Sequence, residues 1–268
     1  MFLIFVVILA LTGAFAGVVS GLLGVGGGIF LVPVFLVLFR AFGVSEEVVM
    51  QMCVGTSTAT IIATSLRSVV THNGKGAVDW GVLKSWGPAM GLGAVLGVLA
   101  ATAMHSDTLM AIFGIVAALM GVYMLAGAPR GRLAPSLPGP AVYAPLSGFI
   151  GFVCAMMGIG GGTFGVPALS AFGLPVQRAI ATSAGFGAVI SLPACVTYLL
   201  GSTGNAQTLP LTVGYVNLPT FALISLMTCL TVPFGVRLAH VLPAVRLRLI
   251  FAFFIILAAL NMLRKAFF

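Results

Sequence analysis

The stretch "GVGGGIFLVP", residues 24–33, returns 134 positions later as "GIGGGTFGVP", residues 158–167. Both copies lie inside runs that are otherwise apolar enough to be helices. One glycine inside a helix costs roughly 0.5–1 kcal/mol relative to alanine, so a cluster of four within five residues marks an interruption. The apolar run after each cluster, 29–42 and 163–174, is too short to span a ~30 Å hydrocarbon core by itself. The reading at each cluster is therefore a broken helix or a re-entrant hairpin.

The repeat extends outward from the clusters. At an offset of 134, Gly17, Gly24, Gly26, Gly27, Gly28, Phe30, Val32 and Pro33 meet Gly151, Gly158, Gly160, Gly161, Gly162, Phe164, Val166 and Pro167. "AFG" at 41–43 then meets "AFG" at 171–173, and Thr56-Ser57 meets Thr182-Ser183. At an offset of 138, Gly97, Phe113, Met124 and Leu125 meet Gly235, Phe251, Met262 and Leu263. Matches in one order with small insertions point to a duplication. The halves are an N-terminal repeat, 1–126, and a C-terminal repeat, 141–268. Between them lies the linker "AGAPRGRLAPSLPGP", 126–140, whose Pro, Gly and Arg content reads as a loop.

Ten apolar segments follow: 2–23, 29–42, 48–71, 84–104, 108–126, 141–157, 163–174, 177–200, 212–236 and 246–263. The chain of 268 residues is 60% hydrophobic and 6% charged, against about 25% charged in soluble domains. That excludes a soluble protein, because too few charges exist to clothe one. The fold class is an all-α polytopic membrane protein. The N-terminal run has no positive n-region and repeats in the second half, so it reads as a retained membrane segment and not a signal peptide.

Five segments per half is an odd number, so the second half enters the membrane inverted relative to the first. Inverted repeats are a frequent plan of secondary transporters. Lys and Arg orient it. Placing the loop 72–83 inside gathers Arg67, Lys75, Lys84, Arg130, Arg132, Arg178, Arg237, Arg246 and Arg248 there and leaves Arg40, Arg264 and Lys265 outside. Both termini then face out of a bacterial-type inner membrane. The net charge of +8 is explained by this bias; no basic stripe suggests nucleic acid.

A glycine break is tolerated in a membrane where it is buried in protein or lines a wet cavity. The helix restarting after it offers free N–H groups and a partial positive charge, which bind anions. Small residues also line helix crossings, but a matched pair in inverted halves favours a midplane site. The candidate substrate-binding set is Gly26, Gly27, Gly28, Gln51, Thr56 and Ser57 with Gly160, Gly161, Gly162, Thr182 and Ser183. Arg67, Arg178 and Arg237 are either positive-inside anchors or a basic inner vestibule.

The carboxylates Glu46, Glu47, Asp79 and Asp107 all fall in loops or at helix ends. A carboxylate-based cation path is thereby absent, and an anion suits the cavity. Cys53, Cys154, Cys195 and Cys229 lack metal or disulfide spacing and read as buried thiols. Trp80 and Trp86 read as interfacial anchors. The sequence calls for no cofactor, no metal and no catalytic constellation.

The duplicated GxGGGxFxVP with its TS pair, the loop "HNGKGAVDW" (72–80) and the blocks "GYVNLP" (214–219), "PFGVRLAHVLP" (233–243) and "LRLIFA" (247–252) together resemble the TauE/SafE sulfite-exporter family. The resemblance implies a transporter of sulfite, organosulfonates or related sulfur anions. It carries the family motif onto the two glycine triplets and the two TS pairs named above. The expectation is an alternating-access exporter of a small sulfur anion, coupled to a proton or a counter-anion, and not an enzyme. The alternative is a passive anion channel on the same scaffold.

Overall fold

A computed structural model describes residues 2–23, 26–126, 138–238 and 244–267. Among them ten helices follow in order: α1 (Phe2–Leu23), α2 (Gly28–Ala41), α3 (Val49–Asn73), α4 (Trp80–Ala103), α5 (Ser106–Ala126), α6 (Pro140–Met157), α7 (Gly162–Ala171), α8 (Val176–Leu200), α9 (Leu218–Leu238) and α10 (Ala244–Phe267). Helices α3, α4, α5, α6, α8 and α9 are long and apolar enough to cross a bilayer. Helices α2 and α7, of 14 and 10 residues, are not, at about 1.5 Å of rise per residue. The protein is an all-α, multi-pass membrane protein.

One predicted segment is corrected. The run 212–236 does not begin as helix, because Thr212–Val213 (β1) and Val216–Asn217 (β2) form an antiparallel hairpin. Leu211 and Gly214 both take positive φ, which a helix cannot include. A side chain at Gly214 would run into the carbonyl of Tyr198, so the hairpin folds back over the end of α8. Trp86 is corrected too. It is 1% exposed and stacks between Tyr143 and Phe186, while Trp80 at the helix start is exposed and donates to Asn73 Oδ1 at 2.9 Å. The expected linker lies outside the described residues up to position 137, as do Arg130 and Arg132.

The helices pack in four principal pairs: α1 on α9, α4 on α6, α3 on α8 and α5 on α10. Small residues set the first two. Gly13, Gly17 and Gly21 of α1 lie against Ile224, Thr228 and Val232 of α9, in one order, so these helices run parallel. Gly148 and Gly151 of α6 lie in the same way on Ala89 and Met90 of α4. Helices α3 and α8 run antiparallel, Gly187 meeting Ser65 and Gly185 meeting Val69. These two are the most enclosed of the six helices long enough to span the membrane.

The ends of this bundle differ in charge. Arg67, Lys75, Lys84, Arg178 and Arg237 sit on the end formed by the C-termini of α3 and α9 and the N-termini of α4 and α8. The opposite end holds the β-hairpin, Glu46, Glu47 and Asp107, with Arg40 paired to Glu46 at 2.9 Å. All four carboxylates of the chain lie outside the middle of the helices; Asp79 is the N-cap of α4, accepting from Val82 N at 3.1 Å.

Candidate functional site

The two glycine clusters meet. Gly26 and Gly27 both take φ 77°, a left-handed conformation open chiefly to glycine, and α2 starts at Gly28. In the second cluster Gly158 caps α6 at φ 62° and α7 starts at Gly162. A Cβ added at Gly26 would lie 3.0 Å from Gly160 Cα, and one at Gly28 would strike the Gly158 carbonyl. Only hydrogen at these positions lets the two breaks interlock.

The meeting point is at mid-height. Gly26 approaches Ile61, the middle residue of the 25-residue α3. Gly161 packs on Phe186 and Gly187, beside the middle of the 25-residue α8. The first intrahelical bonds are Phe30 N to Gly27 O at 3.0 Å and Thr163 N to Gly160 O at 3.3 Å. The amides before them, including those of Gly28 and Gly162, belong to the unpaired first turn of a helix and give each break a positive end.

The TS pairs flank this level on opposite sides. Ser57 lies four residues before the middle of α3, about 6 Å toward the hairpin end, and Ser183 five before the middle of α8, about 7 Å toward the basic end. Both pairs are fully buried. Thr56 Oγ1 accepts the Asn217 N–H at 3.0 Å, and Thr182 Oγ1 accepts the Asp79 N–H at 2.9 Å. Ser57 Oγ donates to the Gly158 carbonyl at 2.8 Å. Among the described residues Ser183 Oγ is buried without a partner, as is Thr163 Oγ1 in the first turn of α7. The structure thus joins the glycines at one point and distributes the hydroxyls above and below it.

Gln51 is not brought to the site. Its amide donates to Met104 O at 2.7 Å and its carbonyl accepts from Ser106 Oγ at 2.7 Å, tying α3 to the α4–α5 turn. Arg67, Arg178 and Arg237 share the basic end and are exposed. Arg178 lies 3.5 Å from Asp79. Among the described residues no cluster of His, Cys, Asp and Glu is arranged to hold a metal.

Asp79 and Asn217 are the residues that sequence reading missed. Each is the cap of a helix whose first-turn amide it receives, Val82 N at 3.1 Å and Thr220 N at 3.1 Å. Each hands its own N–H to a threonine of a TS pair. They stand 138 positions apart, the offset already found for Gly97 and Gly235, and that was the signal available.

The chain has relatives among known proteins. It is 28% identical to a probable membrane transporter protein of Haemophilus influenzae over 97% of this chain and 99% of that protein. It is 24% identical to a probable membrane transporter protein of Methanocaldococcus jannaschii, over 92% of this chain and 91% of that one. A third, YunE of Bacillus subtilis, is 27% identical over 74% and 80% of the two chains. No solved structure matches. The family described as sulfite exporter TauE/SafE matches residues 9–262, and a chain matched over that span, with two interlocked glycine breaks at its centre, belongs to the sulfite exporter TauE/SafE family of membrane transporters.

Proposed function

We propose that this protein carries a small sulfur oxyanion, such as sulfite or an organosulfonate, by alternating access between two inverted halves. The observation that carries the reading is the meeting of Gly26 and Gly160 at the middle of α3 and α8. It brings two positive helix starts to one point where no carboxylate opposes an anion.

Equivalent contacts support the inversion. Gly97 of α4 abuts the Phe152 carbonyl of α6, and Gly235 of α9 abuts the Val18 carbonyl of α1. Shifting the first pair by the two repeat offsets gives the second. Gly17 on Thr228 and Gly151 on Met90 are related in the same way. Helix α1 runs from the hairpin end toward the basic end, and α6 runs the other way. The family description, a sulfite exporter, is the ground for assigning export; the basic end is then the inner face.

The test is flux in liposomes. A carrier gives saturable uptake of labelled sulfite or taurine, accelerated by unlabelled substrate on the far side. Flux that rises without saturation and shows no exchange would instead make the protein a channel.

A further inference from the structure

The twin serines differ. Ser57 and Ser183 occupy matching places in the two halves, and both are 0% exposed. Ser57 Oγ is engaged with the Gly158 carbonyl. Among the described residues Ser183 Oγ reaches no acceptor and receives no donor. A buried hydroxyl left unpaired is unfavourable; Ser20, Ser68, Ser170, Ser191 and Ser225 share that state, and Ser183 differs in lying beside the helix start at a glycine break.

The surroundings of Ser183 say what would complete it. Its helix neighbour is the first turn of α7, where the missing side chain of Gly165 lets the hydroxyl pack close: a Cβ there would lie 2.8 Å from Ser183 Oγ. That turn ends in unpaired amides and a partial positive charge. Thr163 on the same turn carries a second unpartnered hydroxyl. Its counterpart in the first half is Ile29, which has none. Hydroxyl and amide donors beside a helix start, without a carboxylate, fit a ligand that only accepts hydrogen bonds.

We infer that Ser183, and not Ser57, donates to the transported oxyanion, which reaches it from the basic end and rests against the first turn of α7. Ser57 is a latch that holds α3 to the second glycine break. The inference rests on the function proposed above. It goes further by making the site one-sided: the second half supplies the hydroxyl, and Arg178, five residues before Ser183 on α8, marks the way in.

The experiment uses the full chain in detergent with methanesulfonate and sulfite as probes, following binding by titration calorimetry and the ligand-free melting temperature in parallel. Ser183→Ala is expected to keep the melting temperature and lose about ten-fold in affinity, the size of one hydrogen bond to an anion. Gly165→Ala, which crowds the same hydroxyl, is expected to weaken binding with Ser183 intact. Ser57→Ala is expected to lower the melting temperature and keep the affinity. Equal losses in Ser57→Ala and Ser183→Ala, or none in Ser183→Ala, overturn the one-sided site while leaving the proposed function standing. A wild-type protein that binds neither probe overturns both.

Discussion

The Thr182 hydroxyl accepts the backbone N–H of Asp79 at 2.9 Å, and 138 residues further on the N–H of Asn217 goes to Thr56 at 3.0 Å. The same joint is built twice, at opposite ends of the bundle, with an acid in one copy and its amide in the other. At each joint a long central helix holds the start of a helix that packs on the far half. A threonine that secures a helix cap has a structural duty whatever else it binds.

The two copies predict what Asp79 does. Asp79→Asn keeps the cap acceptor and makes the joint like its twin. It loses only the 3.5 Å ion pair with Arg178, whose side chain is half exposed, and such pairs contribute under about 1 kcal/mol. Asp79→Ala removes the cap itself, at about 1 kcal/mol. Unfolding in detergent should rank wild type close to Asp79→Asn, with Asp79→Ala clearly lower. An Asp79→Asn variant as unstable as Asp79→Ala would show that the ion pair, not the cap, holds α4.

The helix crossings make a second prediction. Gly97 against Phe152 O and Gly235 against Val18 O leave no space for a methyl group. Gly97→Ala and Gly235→Ala should each destabilise by about 1–3 kcal/mol through forced backbone separation. Gly139 has open space around it and an ordinary φ of −69°, so Gly139→Ala meets no clash and should cost less than about 1 kcal/mol, the preference for glycine over alanine at a helix N-cap. Thermal unfolding of the three variants is the measurement. Strongly unequal costs at Gly97 and Gly235 would count against equivalent halves.

These particulars show where the sequence was legible. Helix boundaries came from long apolar runs whose ends are marked by Gly, Pro and charge; α1, α2, α3, α5, α6, α7 and α8 begin and end within three residues of the expectation. The hairpin at 212–217 was hidden because Thr212, Val213 and Val216 look as apolar as the helix after them. Trp86 was misread because its position near a loop gave no hint of Tyr143 and Phe186, contributed from far along the chain. Residue types at the site were visible, but their partners were not. Gln51 and Ser57 find theirs 53 and 101 residues away, and only the packing of α3 on the other helices decides which hydroxyl is spent and which is left.

The cysteines test the non-enzymatic reading. Cys53 and Cys154 are 0% exposed, and Cys53, Cys154, Cys195 and Cys229 are all free thiols. A buried thiol packs as a small apolar group and is inert. A variant with all four changed to alanine is expected to transport sulfite at a rate within about three-fold of wild type, the loss reflecting small cavities. Complete loss of transport in a variant that still melts cooperatively would mean that a thiol takes part in the chemistry.

The basic end makes the last prediction. Arg67, Arg178 and Arg237 lie at one end of the bundle, the end through which the anion is proposed to pass. Arg67 and Arg237 stand on α3 and α9, which Thr64 and Thr228 join at 3.1 Å, and both lie beyond that contact toward the basic end, so their charges add there. A cluster of like charge raises the local concentration of a counter-ion and its rate of entry, by about ten-fold or more. Salt removes this advantage, since the screening length falls from about 30 Å at 0.01 M to about 8 Å at 0.15 M. Replacing all three arginines by glutamine should therefore slow initial sulfite uptake into liposomes about ten-fold at low salt and much less at high salt. Maximal velocity at saturating sulfite should change little, because the substitutions lie at the mouth and leave the glycine breaks and Ser183 untouched. If uptake is slowed equally at both salt concentrations, the arginines act by contact with the substrate and not by gathering it; if it is not slowed at all, they are anchors for the membrane surface.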